Sequence, residues 1–128
     1  AFLPGSFTRL SSGLFANLSH TDGVAMAAVS GGIVGVDVQT ARAVSSAVKE
    51  RVCSAAELSE ISCAEDADLA FAAVWAKKES YVKSLGQGIA TDLSALNFAC
   101  GAPQPTGLRF VCGLFCGAPY AVCLRGGE

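Results

Sequence analysis

The chain has 128 residues, a net charge of -2, 52% apolar side chains and 16% charged ones. A chain of this length suits one domain, and residues 1–128 are read as one, able to bury roughly two thirds of the surface its unfolded form exposes. The composition excludes a disordered chain, the charge gives no electrostatic case for nucleic acid, and no basic run points to a membrane surface.

The first dozen residues, beginning "AFLPGSFTRL", read as a loop. They lack the basic end and apolar block of a signal peptide. A start at Ala1 without Met fits a trimmed chain or the downstream part of a longer protein. No apolar run reaches the roughly 18 residues of a membrane span. "GLFANLS" (13–19) and "GVAMAAV" (23–29) are strand-like, and Ser30-Gly31-Gly32 is a turn signal before β-branched "IVGVDV" (33–38). That pattern predicts an antiparallel hairpin.

Helical texture follows. Thr40 can cap a helix over about 41–52. Ser54 and Glu57 have capping-box spacing for a short helix to about Glu60, and Ser62 and Glu65 repeat it before "DADLAFAAVWAKKESYVKSL", the longest expected helix, closed by Gly86. β texture returns at "LSALNFAC" (93–100), and "LRFVCGLFC" (108–116) with "YAVCLR" (120–125) predicts a closing hairpin. The expected class is α+β, an antiparallel sheet against one long and one or two shorter helices.

Six cysteines are present: Cys53, Cys63, Cys100, Cys112, Cys116 and Cys123. A core is available without staples, so they are expected to be reduced and mostly buried, in a reducing cytoplasm. With one His and no C-x-x-C pair, zinc is poorly supported.

On the long helix, Phe71, Val74, Trp75, Lys78, Val82 and Leu85 share one face at about 100° per residue. Lys78 thus lies in the apolar stripe, while Glu79 and Lys83 project along a flank. Taken alone, these read as a snorkelling lysine and a solvated ion pair. Asp37, at the mouth of its strand, changes the weighing: with Glu79 it makes a candidate Mg²⁺ pair, and with the lysines and His20 a phosphate-handling site.

"NLSH" (17–20), "VGVDV" (34–38) and "WAKKESYVKSLGQGI" (75–89), in this order, resemble the signature of the 4′-phosphopantetheinyl transferases. The likeness runs from about Gly13 to Leu124 and is nearest to the surfactin-synthetase-activating class, in shortened form. It implies that family's fold and its reaction. Phosphopantetheine passes from coenzyme A to a serine of an apo acyl or peptidyl carrier protein, with Mg²⁺, releasing adenosine 3′,5′-bisphosphate. Asp37 and Glu79 would be metal carboxylates, Glu79 also the base, and Lys83 a partner of the pyrophosphate and leaving phosphate. Ser19, His20 and Lys78 would bind the coenzyme A phosphates.

Two departures stand out. The larger class usually has Glu two residues after the metal Asp; here Gln39 offers only a neutral oxygen. That class is also nearly twice as long. Here Arg9 is the one basic residue before "NLSH", a remnant of a nucleotide contact. The small homotrimeric class has about this length but lacks "NLSH". The resemblance therefore also implies a homo-oligomer or a partner half completing the site. The alternative is a weak or inactive relative that binds coenzyme A or a carrier protein, or a half-enzyme needing a partner chain.

Overall fold

Gly23, at φ +71°, lets the chain reverse in two residues, and the first sheet grows from that turn. The computed structural model describes residues 7–85 and 92–126. Strands β1 (Thr8–Arg9), β2 (Phe15–Thr21) and β3 (Val24–Ser30) form an antiparallel sheet in the order β1-β2-β3. The initial loop therefore contributes a short edge strand.

Strand β4 (Val34–Val38) belongs to a different sheet. The segment Ser30-Gly31-Gly32 is thus a crossover between sheets and not the turn of a hairpin. Helices α1 (Ser46–Val52), α2 (Ala55–Cys63) and α3 (Ala67–Ser84) follow, then β5 (Arg109–Phe115) and β6 (Ala118–Leu124). The second sheet has the order β4-β6-β5, all antiparallel. Its closing hairpin turns at Cys116 and Gly117, with φ of 53° and 78°. Two successive positive φ values match the twist of the flanking strands. The α+β architecture is as the sequence predicts, though with two sheets. No helix of the described residues is long and apolar enough to cross a membrane.

Helix starts follow the local acceptors. The Thr40 hydroxyl pairs with Thr21 at 2.7 Å, so it caps nothing, and α1 begins later on Ser45, whose Oγ accepts from Val48 N. The Ser54–Glu57 capping box forms in full. Ser62 bonds back to the Ser59 carbonyl within α2, and Asp66 caps α3 in its place, accepting from Leu69 N. The expected stop at Gly86 lies outside the described residues.

The face that α3 lays on the second sheet is not its apolar stripe. Ala76, Ser80 and Ser84 are fully buried, while Val74, Trp75, Val82 and Leu85 are only half-buried. Gly35 of β4 explains the choice. A Cβ there would strike the Ser80 carbonyl and stand 2.8 Å from Ser84 N. Helix and strand backbones touch, and only small residues fit between them. Phe71 instead anchors a core with Val52, Cys53 and Ile61 on the side of α1 and α2.

Two further expectations fail for physical reasons. Residues 93–100 form no strand, only a 3₁₀ turn at Leu93–Ala95 and irregular chain. Their polar backbone is met by side chains: Phe98 N donates to Glu57 Oε2 at 2.6 Å, and Cys100 N to Glu60 Oε2 at 2.8 Å. The cysteines are all free, but only Cys53 and Cys123 are buried. Cys112 and Cys116 are exposed on or beside edge strand β5, Cys63 ends α2, and Cys100 lies in the irregular segment.

Candidate active site

Strand β4 pairs with β6 on one side only. Its other edge would be an unpaired row of backbone groups at the centre of the protein. Side chains from β2 and α3 replace the missing strand. Asn17 Oδ1 accepts from Val36 N at 2.7 Å, and Ser19 Oγ accepts from Val38 N at 3.1 Å. Lys83 Nζ donates to the Val36 carbonyl at 2.9 Å and to the Leu18 carbonyl at 3.4 Å. Buried polar backbone is thus satisfied without a ladder.

Asp37 lies between the two plugged residues, 5% exposed. Its Oδ1 accepts from Lys83 at 3.2 Å and from Ser19 at 3.3 Å; its Oδ2 accepts from Gln39 Nε2 at 2.6 Å. Burial pushes the Asp37 carboxyl above its ordinary range, against the pull of Lys83 and Gln39, and the charge of Glu79 pushes the same way. Glu79 itself is held by its own helix, where Trp75 Nε1 donates to Oε2 at 3.4 Å. Asp37, Lys83, Ser19 and Gln39 therefore form one hydrogen-bonded cluster built on β2, the end of β4 and α3, and Glu79 acts on it through its charge.

Lys78 lies elsewhere. It is fully buried, and its Nζ is 2.6 Å from Glu57 Oε1. It also donates to the carbonyls of Val52, Leu93 and Leu96 at 2.6–2.7 Å. Four acceptors exhaust an ammonium with three protons. The structure places Lys78, to which the resemblance gave a coenzyme A phosphate, as a tie between α3 and α1, α2 and the segment after residue 92.

A family model of the 4′-phosphopantetheinyl transferase superfamily matches residues 33–125, most of the chain. The chain belongs to this superfamily. It is also 33% identical over 81 residues to the 4′-phosphopantetheinyl transferase psf-1 of Bacillus pumilus. That alignment covers 62% of this chain and 35% of the relative, so the chain spans about a third of the curated relative it matches.

The remaining residues to which the transferase resemblance gave roles are dispersed. Strand alternation separates Ser19 from His20: Ser19 is buried, and His20 is exposed on the opposite face of β2. The Ser19 hydroxyl is engaged by Asp37 and Val38 and so serves the carboxylate. Arg9, exposed on β1, stands 5.8 Å over the Phe15 ring, on the face opposite His20. Asn17 was not singled out in the sequence; an amide two residues before Ser19, on the same strand face, was the available signal.

The two carboxylates suit a hard cation: both offer oxygen, and the repulsion of Asp37 by Glu79 would be relieved by positive charge added to that of Lys83. Among the described residues no three His, Cys, Asp or Glu gather as a metal group. A cation here would have two protein carboxylates, a number that suits Mg²⁺ with water and substrate phosphate completing its shell.

Proposed function

We propose that this protein transfers 4′-phosphopantetheine from coenzyme A to a serine hydroxyl of an apo acyl or peptidyl carrier protein. The observation that carries the reading is the buried Asp37–Lys83 pair facing Glu79, on the strand and helix that hold the superfamily's motifs. The serine oxygen attacks the β-phosphorus of coenzyme A, and the bond to adenosine 3′,5′-bisphosphate breaks. Glu79, directly or through water, takes the serine proton. Lys83, whose three protons are held by Asp37 and the carbonyls of Val36 and Leu18, fixes Asp37 and adds positive charge beside the transferring and leaving phosphates without binding them directly. His20 and Arg9 project from opposite faces of the first sheet, so one of them at most contacts the nucleotide phosphates. Asp37 and Glu79 would hold Mg²⁺, which would polarise the pyrophosphate.

Carrier proteins of fatty acid, polyketide or nonribosomal peptide synthesis are the proposed partners. Six unpaired thiols support a reducing, cytoplasmic setting. Exposed Leu18 and Val29 on the first sheet, and Val111, Leu114 and Phe115 on β5, support self-association or a partner half. The short coverage of the relative favours a second reading, a half-enzyme or binding relative that turns over only with a partner chain.

Mass spectrometry of an apo carrier protein incubated with this chain, coenzyme A and Mg²⁺ tests the proposal. A phosphopantetheine adduct on the carrier serine is expected. Its loss in Glu79→Ala, with folding intact, assigns the chemistry to this cluster. No adduct over a panel of carriers, despite coenzyme A binding, would turn the reading to the second.

A further inference from the structure

Asp37 holds little free capacity for a cation. A carboxylate offers about four lone-pair positions. Lys83 and Ser19 occupy Oδ1, and the Gln39 amide takes one position on Oδ2 at 2.6 Å. The orientation of that amide follows from the separation: an amide oxygen so close to a carboxylate oxygen would be repelled, so the NH₂ group faces Asp37. Gln39 is thus turned with its donor, not its carbonyl, toward the carboxylate.

The backbone of Gln39 is fixed, with its N–H donating to the Pro119 carbonyl at 2.9 Å. Its side chain is not confined in the same way. It borders a cavity of about 340 Å³, lined also by Thr40, Arg42, Phe71 and Trp75. The amide has somewhere to go without moving the strand. The observed rotamer closes it on Asp37, and a rotamer turned into the cavity would release it.

Resting on the reading of Asp37 and Glu79 as cation ligands, we propose that Gln39 is a removable plug on Asp37. It competes with the divalent cation for Oδ2 and does not serve as a neutral replacement for a third acidic ligand. The two roles predict opposite signs when the amide is removed. A ligand lost weakens cation binding. A competitor lost strengthens it, because a hydrogen bond to a charged acceptor no longer has to break.

The test uses the full chain and Mn²⁺ as the probe, with free Mn²⁺ read by electron paramagnetic resonance in titrations without coenzyme A. Gln39→Ala should bind Mn²⁺ about tenfold to a hundredfold more tightly than wild type, the scale of a hydrogen bond to a charged group. Gln39→Met, which keeps the side-chain volume without a donor, should shift the same way, and circular dichroism melts verify that both variants fold. Equal or weaker binding by both variants overturns the plug. Equal Mn²⁺ binding by wild type and Asp37→Asn, or no binding by any variant, overturns the metal reading beneath it as well.

Discussion

Replacing Lys78 by Met separates two roles for the same residue. Its ammonium is surrounded by Glu57 Oε1 at 2.6 Å and three carbonyl oxygens within 2.7 Å, and neither side chain of the ion pair is more than 1% exposed. Lys78→Met leaves Glu57 buried as an anion with only the Ser54 and Phe98 amides as partners. Breaking a buried pair from one side costs about 3–5 kcal/mol. A domain has about 5–15 kcal/mol in total, so the variant should be folded but marginal. Urea unfolding should show a lower midpoint at unchanged slope. The melting temperature should drop by roughly 10–20 °C. Lys78→Met with Glu57→Gln should recover part of the loss, because the orphaned charge is gone, with a coupling of about 1–3 kcal/mol. A phosphate ligand would behave otherwise. Lys78→Met within about 1 kcal/mol of wild type in stability, yet tenfold weaker for coenzyme A, would refute the cage as the purpose of this lysine.

Gly35→Ala forces a methyl group into the backbone of α3 and should cost at least about 1–3 kcal/mol, read as a lower melting temperature; an unchanged melt would mean that α3 and β4 are not in backbone contact. Thiol reagent should label Cys63, Cys100 and Cys116 quickly, Cys112 more slowly because partial burial pushes its thiol up, and Cys53 and Cys123, buried and pushed up to about 11, only on unfolding; six fast thiols in the native protein would contradict this packing. Asp37, raised above 3.8 by burial, stabilises the fold most when protonated, and that contribution is lost as pH rises through its folded value. In chelator, the stability of wild type minus that of Asp37→Asn should therefore fall as pH rises from about 3.8; a difference that grows with pH would show that Lys83 outweighs burial.

What the sequence made legible was local chemistry. The Ser54–Glu57 capping box, the closing hairpin and the approximate spans of β2, β3 and α3 were all written in short-range patterns. What it hid were choices settled between elements. Thr40 looks like a cap until Thr21 takes its hydroxyl. Residues 93–100 look like a strand because apolar residues recur, but Glu57, Glu60 and Lys78 claim the backbone groups that a ladder would need. The apolar stripe of α3 misleads most. Hydropathy marks Val74, Val82 and Leu85, whereas Gly35 selects Ala76, Ser80 and Ser84 for the interface, and no periodicity in α3 alone could reveal a glycine on another strand.

The three charged residues of α3 that drew notice in the sequence turn out to divide the helix by direction. At about 100° per residue, Glu79 and Lys83 project within about 40° of each other, and Lys78 lies about 100–140° away from both. Lys78 therefore enters the cage made by α1, α2 and the segment after 92, while Lys83 enters the edge of β4 and the neighbouring carbonyl of β2. A helix held by buried ammonium groups on two sides resists rotation about its axis more than one held by apolar contacts, because each ammonium requires several oxygens at fixed distances. Glu79, with no comparable anchor beyond Trp75, takes its direction from these two neighbours. The buried charges that looked extravagant in a chain so poor in charge thus set the direction of Glu79, whose charge acts on Asp37.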